Sequence, residues 1–446
     1  MKNKIRKFCI LLSIFIICQF TSGCYDSREI DELAYPIAIG FDKGEGKFLR
    51  MSLQIAVPTK VAGGGEGGEG GGGGEGGGGG EGGQSSVSIT TLETPTIYSG
   101  LNMINTYVSK QINLSHVKAI VFSEELAREG IEKYINALMR GREFRGTAYV
   151  LVAKGSGNTA EKFIREVKPE LESNPAKYYE MVLNAYGYTG FTAEAKLISF
   201  YRNMTSYTTQ PVAVLANVSE FEDSDDITLE YSTYKQKGRD YPLPGDYTAG
   251  NMPKVGNIKT EVMGMAVFDG ARMVGELDGE ETSYYLMVEG KYGYSYVTIP
   301  DPQAKDMFVL LNLKQSRKPK KRVEMVGDKP QIYIDIKLEA DILSIQSGIN
   351  YESIEKIGIL EKATEEFVKT GIERMVKRTV EEFGSDTFGI GESIKKKFLT
   401  WDQWVAFNWK EKYRHSNINV NVDVKIRRPG QKIKTVPAHG SEKEEK

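Results

Sequence analysis

Apolar positions recur along this chain with two periods. Leu49, Met51, Leu53, Ile55 and Val57 alternate with other residues, as do Ile418, Val420, Val422, Val424 and Ile426. That period of two predicts half-buried strands over 48–57 and 417–427. Leu101, Ile104, Val108 and Ile112 instead share one helical face and predict a helix over 101–112. Strand-like runs cover 35–42, 86–92, 116–122 and 149–153. Ser123 stands as N-cap before Glu124-Glu125-Leu126, and 159–167 predicts another helix. Strand and helix alternate, so residues 24–205 read as an α/β domain. After Pro211 the texture changes. Val262–Phe268 and Ser283–Val288 read as strands, with Gly270, Gly275 and Gly279 as punctuation, giving a strand-rich middle domain over 206–290. Met307–Leu313 and Gln331–Ser347 are further strands, joined by a basic connection from Arg317 to Arg322. The longest helix signal follows, Tyr351 to Phe383, about 48 Å at the usual rise, with Gly358 and Gly371 as candidate bends and Gly384 where a helix end favours a left-handed residue. The expected architecture is mixed α/β and α+β: three domains, each with its own small sheet and packed helices. The third, α+β and spanning 291–430, carries the long helix, and 431–446 is a charged tail that reads as disordered.

Composition adjusts this picture at one place. The chain has 446 residues, 40% of them hydrophobic and 26% charged, with a formal net charge of −2. That balance suits a globular protein and lacks the basic excess of a nucleic-acid binder. Of the 48 glycines, 17 lie in a Gly/Glu tract at 63–83. As a flexible coil the tract would span about 25 Å. It reads either as a tether or, preferably, as a lengthened loop between paired strands, where added length costs little entropy.

The first residues concern the compartment. Lys2, Lys4, Arg6 and Lys7 precede a thirteen-residue, mostly apolar run, Phe8 to Phe20, and then Thr21-Ser22-Gly23-Cys24. The run is shorter than the roughly 20 residues of a bilayer span and fits a signal peptide over 1–23. Small residues before a cysteine match the bacterial lipoprotein pattern, with cleavage between Gly23 and Cys24 and lipid on Cys24. Thr21 departs from it, since an aliphatic residue is commoner there, and an ordinary secretory signal is the alternative. Cys9 and Cys18 would leave with the signal, so the mature chain would keep one cysteine and no disulfide, at a net charge of −6.

No catalytic, metal or cofactor site emerges. The three histidines, His116, His415 and His439, have no metal-binding spacing, and His116 reads as structural. Carboxylate pairs are too numerous to single one out. Gly155-Ser156-Gly157-Asn158-Thr159-Ala160 follows a strand and opens a helix, as a dinucleotide loop does. The acid such a site wants at the end of a second strand falls in a region, 174–180, that reads helical. A strand–turn–helix corner capped by Asn158 or Thr159 is the simpler reading. Trp401, Trp404 and Trp409 fall in one stretch. They fit a core helix or an aromatic anchor for a partner or membrane. The basic groups 317–322 and 395–397 fit either solvated faces or contacts with anionic lipid.

Several segments together resemble the Ger(x)C family, the lipoprotein C subunits of nutrient germinant receptors in spore-forming bacteria. They are Cys24-Tyr25-Asp26-Ser27-Arg28-Glu29-Ile30-Asp31-Glu32-Leu33-Ala34, HVKAIVFSEELAREGI (116–131), MRGREFR (139–145), VMGMAVFDGARMVGEL (262–277), SDTFGIGESI with the following tryptophans (385–409), and IRRPG (426–430). Tyr25 stands where many members have tryptophan, and the Gly/Glu tract is not a family feature. The resemblance implies a three-domain mixed fold without catalytic activity or cofactor. It also implies a lipid anchor at Cys24, residence on the outer face of the inner spore membrane, and membrane-embedded A and B subunits as partners. Under it, direct small-molecule binding by this chain is not expected. Two other readings stay open: a solute-binding lipoprotein of a transporter, disfavoured because the lobes differ, and an exported cell-wall enzyme, which would need a carboxylate pair in a groove.

Overall fold

The computed structural model describes residues 29–57, 87–219 except 158, 170 and 173, and 232–428, with 2–8, 10, 13, 430, 432, 434 and 435. Gly23, Cys24, the Gly/Glu tract and most of the tail lie outside the described residues.

The first sheet has eight strands. In chain order they are β2 (Pro36–Lys43), β3 (Leu49–Ala56), β4 (Val87–Thr94), β6 (Ala119–Ser123), β7 (Tyr149–Ala153), β8 (Val212–Val218), β9 (Thr260–Asp269) and β10 (Arg272–Leu277); β1 (Leu33–Ala34) and β5 (Gln111–Ile112) form a separate two-stranded pair. Across the sheet the order is β10-β9-β8-β7-β6-β2-β3-β4. The four central strands β2, β6, β7 and β8 are parallel, and an antiparallel hairpin flanks them on each side. Parallel strands need cover on both faces. Ile120, Phe122, Val150 and Val152 belong to a core shared with α1 (Ile97–Ile104), α2 (Glu124–Glu129), α3 (Glu132–Arg140) and α7 (Leu197–Met204), while Val121, Leu151 and Val214 pack with α4 (Thr159–Glu166) and α5 (Pro175–Asn184). A short helix, α6 (Tyr186–Thr189), precedes α7, and α8 (Ser232–Gln236) follows β8. Either side of the Gly/Glu tract, Ala56 pairs with Val87, so the tract joins neighbouring strands.

The second sheet is built on one 17-residue strand, β14 (Lys329–Ile345). On one side β14 pairs with β13 (Lys320–Val326) and then β12 (Phe308–Gln315), which carries β11 (Tyr294–Pro300) at the edge. On its other side lies β15 (Asn417–Arg428), running parallel from Gln331↔Asn417. Strict alternation buries Ile332, Ile334, Ile336 and Leu338 of β14 with Val420, Val422, Val424 and Ile426 of β15. The long helix α10 (Ile354–Glu381) lays Leu360, Val368, Ile372, Met375 and Val376 into the same core. Gly384 has φ +57° just past its end. α11 (Gly391–Lys395), α12 (Trp401–Phe407) and α13 (Trp409–Tyr413) follow.

The mixed α/β class and the long helix are as expected; three details differ. The strands of 206–290 do not form a sheet of their own, because β8 hydrogen-bonds onto β7 and β9 onto β8, extending the first sheet. Ser283–Val288 is not a strand but part of α9 (Gly279–Glu289). Asp278 and Glu281 close a capping box at its start, and every residue from Glu281 to Val288 is buried, so its apolar run carries no helical period. The helix expected over 101–112 starts earlier, at the Thr96 N-cap, and ends at Ile104. Asn105 then accepts a hydrogen bond from the Ile112 amide at 2.9 Å, turning the chain so that Gln111 and Ile112 can pair with β1.

Candidate functional site: the seam between the sheets

The second core is shared by both sheets. Val212, Met265, Val267 and Leu277 of the first sheet and Leu311, Ile334 and Ile336 of the second lie in one contiguous apolar cluster. Helix α9 leaves the first sheet after β10 and runs through this cluster. Gly371 of α10 faces the buried Tyr284 ring of α9 and leaves no room there for a side chain. The glycine therefore serves close helix approach. In the same way Gly275 of β10 sits against the Phe383 ring.

A buried ionic cluster closes one end of the seam. Lys237 Nζ reaches Asp246 Oδ1 at 2.6 Å, Asp278 Oδ2 at 2.7 Å and Glu280 Oε2 at 2.9 Å. Arg239 pairs with Glu280 at 2.8 Å and also with Asp246. Burial works against the Lys237 ammonium, yet the three carboxylates around it hold its pKa above the ordinary value. Burial alone would raise the Glu280 carboxyl, but Lys237 and Arg239 outweigh it and bring it down to about 2. Asp278, buried and beside Glu281, is raised. From α10, Arg378 Nη1 donates to both oxygens of Glu281 at 2.7 and 2.6 Å, and Nη2 donates to the Glu276 carbonyl at 3.3 Å. Three separate segments are thus tied by charges with little access to water, where loss of one partner leaves another uncompensated.

The opposite end is a tight corner at 385–391. Asp386 accepts from the amides of Phe388 (3.2 Å), Ile390 (3.1 Å) and Gly391 (2.8 Å) and from the Trp409 indole (2.9 Å). Burial pushes its carboxyl up to about 6, against those donors. The corner also grips the first sheet: Ser385 Oγ donates to the Phe268 carbonyl at 2.6 Å, and the Gln210 amide donates to the Asp386 carbonyl at 2.8 Å. Thr208 Oγ1 donates to Glu392 at 2.5 Å.

The three tryptophans separate. Asn408, at φ +50°, ends α12 and starts α13, so their faces do not add up to one stripe. Trp404 and Trp409 are only 2% and 3% exposed and belong to the core, which removes them as an outward interface; Trp401 is 51% exposed. The glycine-rich turn at 155–157 has its own explanation. The start of α4 is taken by a buried carboxylate from β2: Asp42 accepts from the Ala160 and Glu161 amides at 3.0 and 2.9 Å. Asn158 lies outside the described residues, and the Thr159 hydroxyl donates back to the Ala153 carbonyl at 3.2 Å. His116 lies in a short turn (Leu114–His116) before β6, its ring 4.5 Å from Tyr35. Among the described residues no group of three or more His, Cys, Asp or Glu side chains is arranged to hold a metal ion. The seam residues Lys237, Arg239, Asp246, Glu280 and Arg378 were not legible in the sequence; only Asp278-x-x-Glu281 carried a signal, as a capping box.

Two family models cover both sheets. Residues 26–218 match the spore germination protein N-terminal domain, and 263–430 match the spore germination B3/GerAC-like C-terminal domain. The chain belongs to the Ger(x)C family. Within this Ger(x)C protein the first match ends with β8 and the second begins inside β9, so the eight-stranded sheet takes strands from both. Spore germination protein KC of Bacillus subtilis (strain 168) is 24% identical over 429 residues, 94% of each chain. Spore germination protein GerQC of Bacillus cereus is 20% identical over 423 residues, covering 94% of this chain and 97% of its own. The crystal structure of the GerBC protein aligns with a TM-score of 0.46 at 15% identity, over 87% of this chain and 96% of that one.

Proposed function

We propose that this Ger(x)C protein is the lipid-anchored, non-catalytic C subunit of a spore nutrient germinant receptor, acting as scaffold or signal relay. The observation that carries the reading is the pair of family matches, in order, across both sheets. In this reading signal cleavage between Gly23 and Cys24 leaves lipid on Cys24. The anchor holds the protein to the outer face of the inner spore membrane beside membrane-embedded A and B subunits. Among the described residues no helix is long and apolar enough to cross a membrane. The anchor's physical contribution is effective concentration, since confinement to the membrane plane favours weak contacts between subunits. One acyl chain binds marginally and two give stable attachment. The seam supports the relay role: with both sheets locked to α9 and α10, a displacement of one sheet moves the other.

The test is Cys24→Ala in the parent spore-former, following a lipid label, membrane fractionation and germination. The expected result is loss of label, release from the membrane and failure to respond to the cognate nutrient, with other triggers intact. Normal nutrient germination by spores lacking the protein, with no second receptor for that nutrient, would overturn the reading.

A further inference from the structure

We propose that residues 395–405 form a docking face for an anionic lipid surface, separate from any lipid on Cys24. The segment is held rigidly from inside. Phe398 packs against Trp404 and Phe407, with ring centroids 5.5 and 4.8 Å away, and Thr400 caps α12 by accepting from the Gln403 amide. Between these fixed points the chain presents apolar side chains outward. Leu399 is 94% exposed, and Trp401 and Val405 lie one helical turn apart on an exposed face. The exposed Tyr207 ring joins them, edge-on to Trp401 at 5.3 Å. Isolated exposed apolar residues are ordinary, but contiguous ones mark contact surfaces.

Charge selects the occupant. Lys395 and Lys396 precede the apolar tip, while Lys397 Nζ instead donates to the Val323 carbonyl at 3.1 Å, and Asp402 is the only acid from 395 to 405. Lys395 Nζ lies 5.2 Å from the Trp401 ring centroid, so a half-exposed cation sits against the exposed aromatic ring, and the neighbouring Lys396 is exposed. Lysine beside tryptophan and leucine is the chemistry of a bilayer interface: cations meet anionic headgroups while rings sit at headgroup depth. Because the tip is already ordered, little side-chain entropy is lost on docking.

The experiment uses residues 24–446 carrying Cys24→Ser, which retain every strand and helix described from Ile30 onward. Flotation is measured with phosphatidylcholine vesicles and with equimolar phosphatidylcholine and phosphatidylglycerol, at low and high salt. The protein should float with the anionic vesicles at low salt and detach at high salt. Trp401, the exposed tryptophan, should shift its emission to the blue. Lys395→Gln with Lys396→Gln should weaken partitioning about tenfold or more, on the order of fivefold per lysine. Leu399→Ser with Trp401→Ser should weaken it comparably. Both pairs lie on the surface, so unchanged thermal unfolding should accompany the loss. No flotation of the parent with anionic vesicles, equal flotation with neutral ones, or variants that bind as well as the parent would each overturn the proposal.

Discussion

A single methyl group placed at two points on α10 tests how the seam is held. Gly358 is exposed, and a Cβ built there meets nothing within 4 Å. Replacing it with alanine removes the entropy cost of a glycine inside a helix and should stabilise the protein by about 0.5–1 kcal/mol. Gly371→Ala gains the same amount. Its Cβ, however, would lie 2.5 Å from the Tyr284 hydroxyl oxygen and nearer still to two ring carbons. Tyr284 is only 4% exposed, so its ring has nowhere to go. Overpacking of that kind costs about 1–3 kcal/mol, leaving a net loss of roughly 0.5–2 kcal/mol once the helix gain is subtracted. The two variants should therefore differ by about 1–3 kcal/mol with opposite signs, or roughly 2–12 °C in the transition of a unit of this size. Thermal unfolding followed by tryptophan emission is the assay, because the buried Trp404 and Trp409 belong to the same core as Tyr284 and Val376. If Gly371→Ala raises the transition as much as Gly358→Ala does, the glycine does not set the approach of α9 and α10, and the reasoning fails.

Asp386→Ala should cost about 3 kcal/mol or more, since several buried N–H donors lose their acceptor together; denaturant unfolding measures it, and a loss under 1 kcal/mol would contradict the corner described. Arg378→Ala leaves Glu281 facing a nearly dry site. The arginine side chain is 30% exposed, so the expected loss is discounted to about 1–3 kcal/mol. The double variant with Glu281→Gln, which removes the charge while keeping an acceptor for the capping box, should regain most of it in a thermodynamic cycle. Burial raises Asp42 and Asp386 from 3.8 to about 6 in the folded protein. Between those values the native state holds more protons than the unfolded chain, so the stability these two groups contribute falls as pH rises from about 4 to about 6 and is level above 7. Asp386→Asn should flatten that part of the stability curve, read from denaturant midpoints at pH 4.5 and 7.5; an unchanged slope would refute the assignment.

Much of the fold could be read from single segments, because β14, β15 and α10 carry their burial as a regular period. Helix α9 could not, since burial on all sides erases the alternation that tells helix from strand. The split at Asn408 was equally hidden. It turns one apparent aromatic stripe into two core residues and one surface residue. The seam resisted for a different reason. Lys237, Asp246, Glu280 and Arg378 are ordinary surface-type residues scattered over more than a hundred positions, and only the tertiary fold brings them together. What could be read was the marker sequence 385–391, which proves to be the corner that fastens the second core to β9.

The position of β15 also fixes an order of assembly. The first sheet is complete once Leu277 has been made, but β14 keeps one long edge open from Gln331 to Asp341 until the chain reaches Asn417 and beyond. During that interval the backbone groups along this edge of β14 have no partner, although β12 and β13 pair with its other edge, and such an edge is a template for pairing with another molecule. Formation of β15 is thus the step that hides this adhesive edge. A product stopped at residue 416 should form the first sheet and then aggregate, while the same product supplied with a separate peptide of residues 417–428 should stay dispersed.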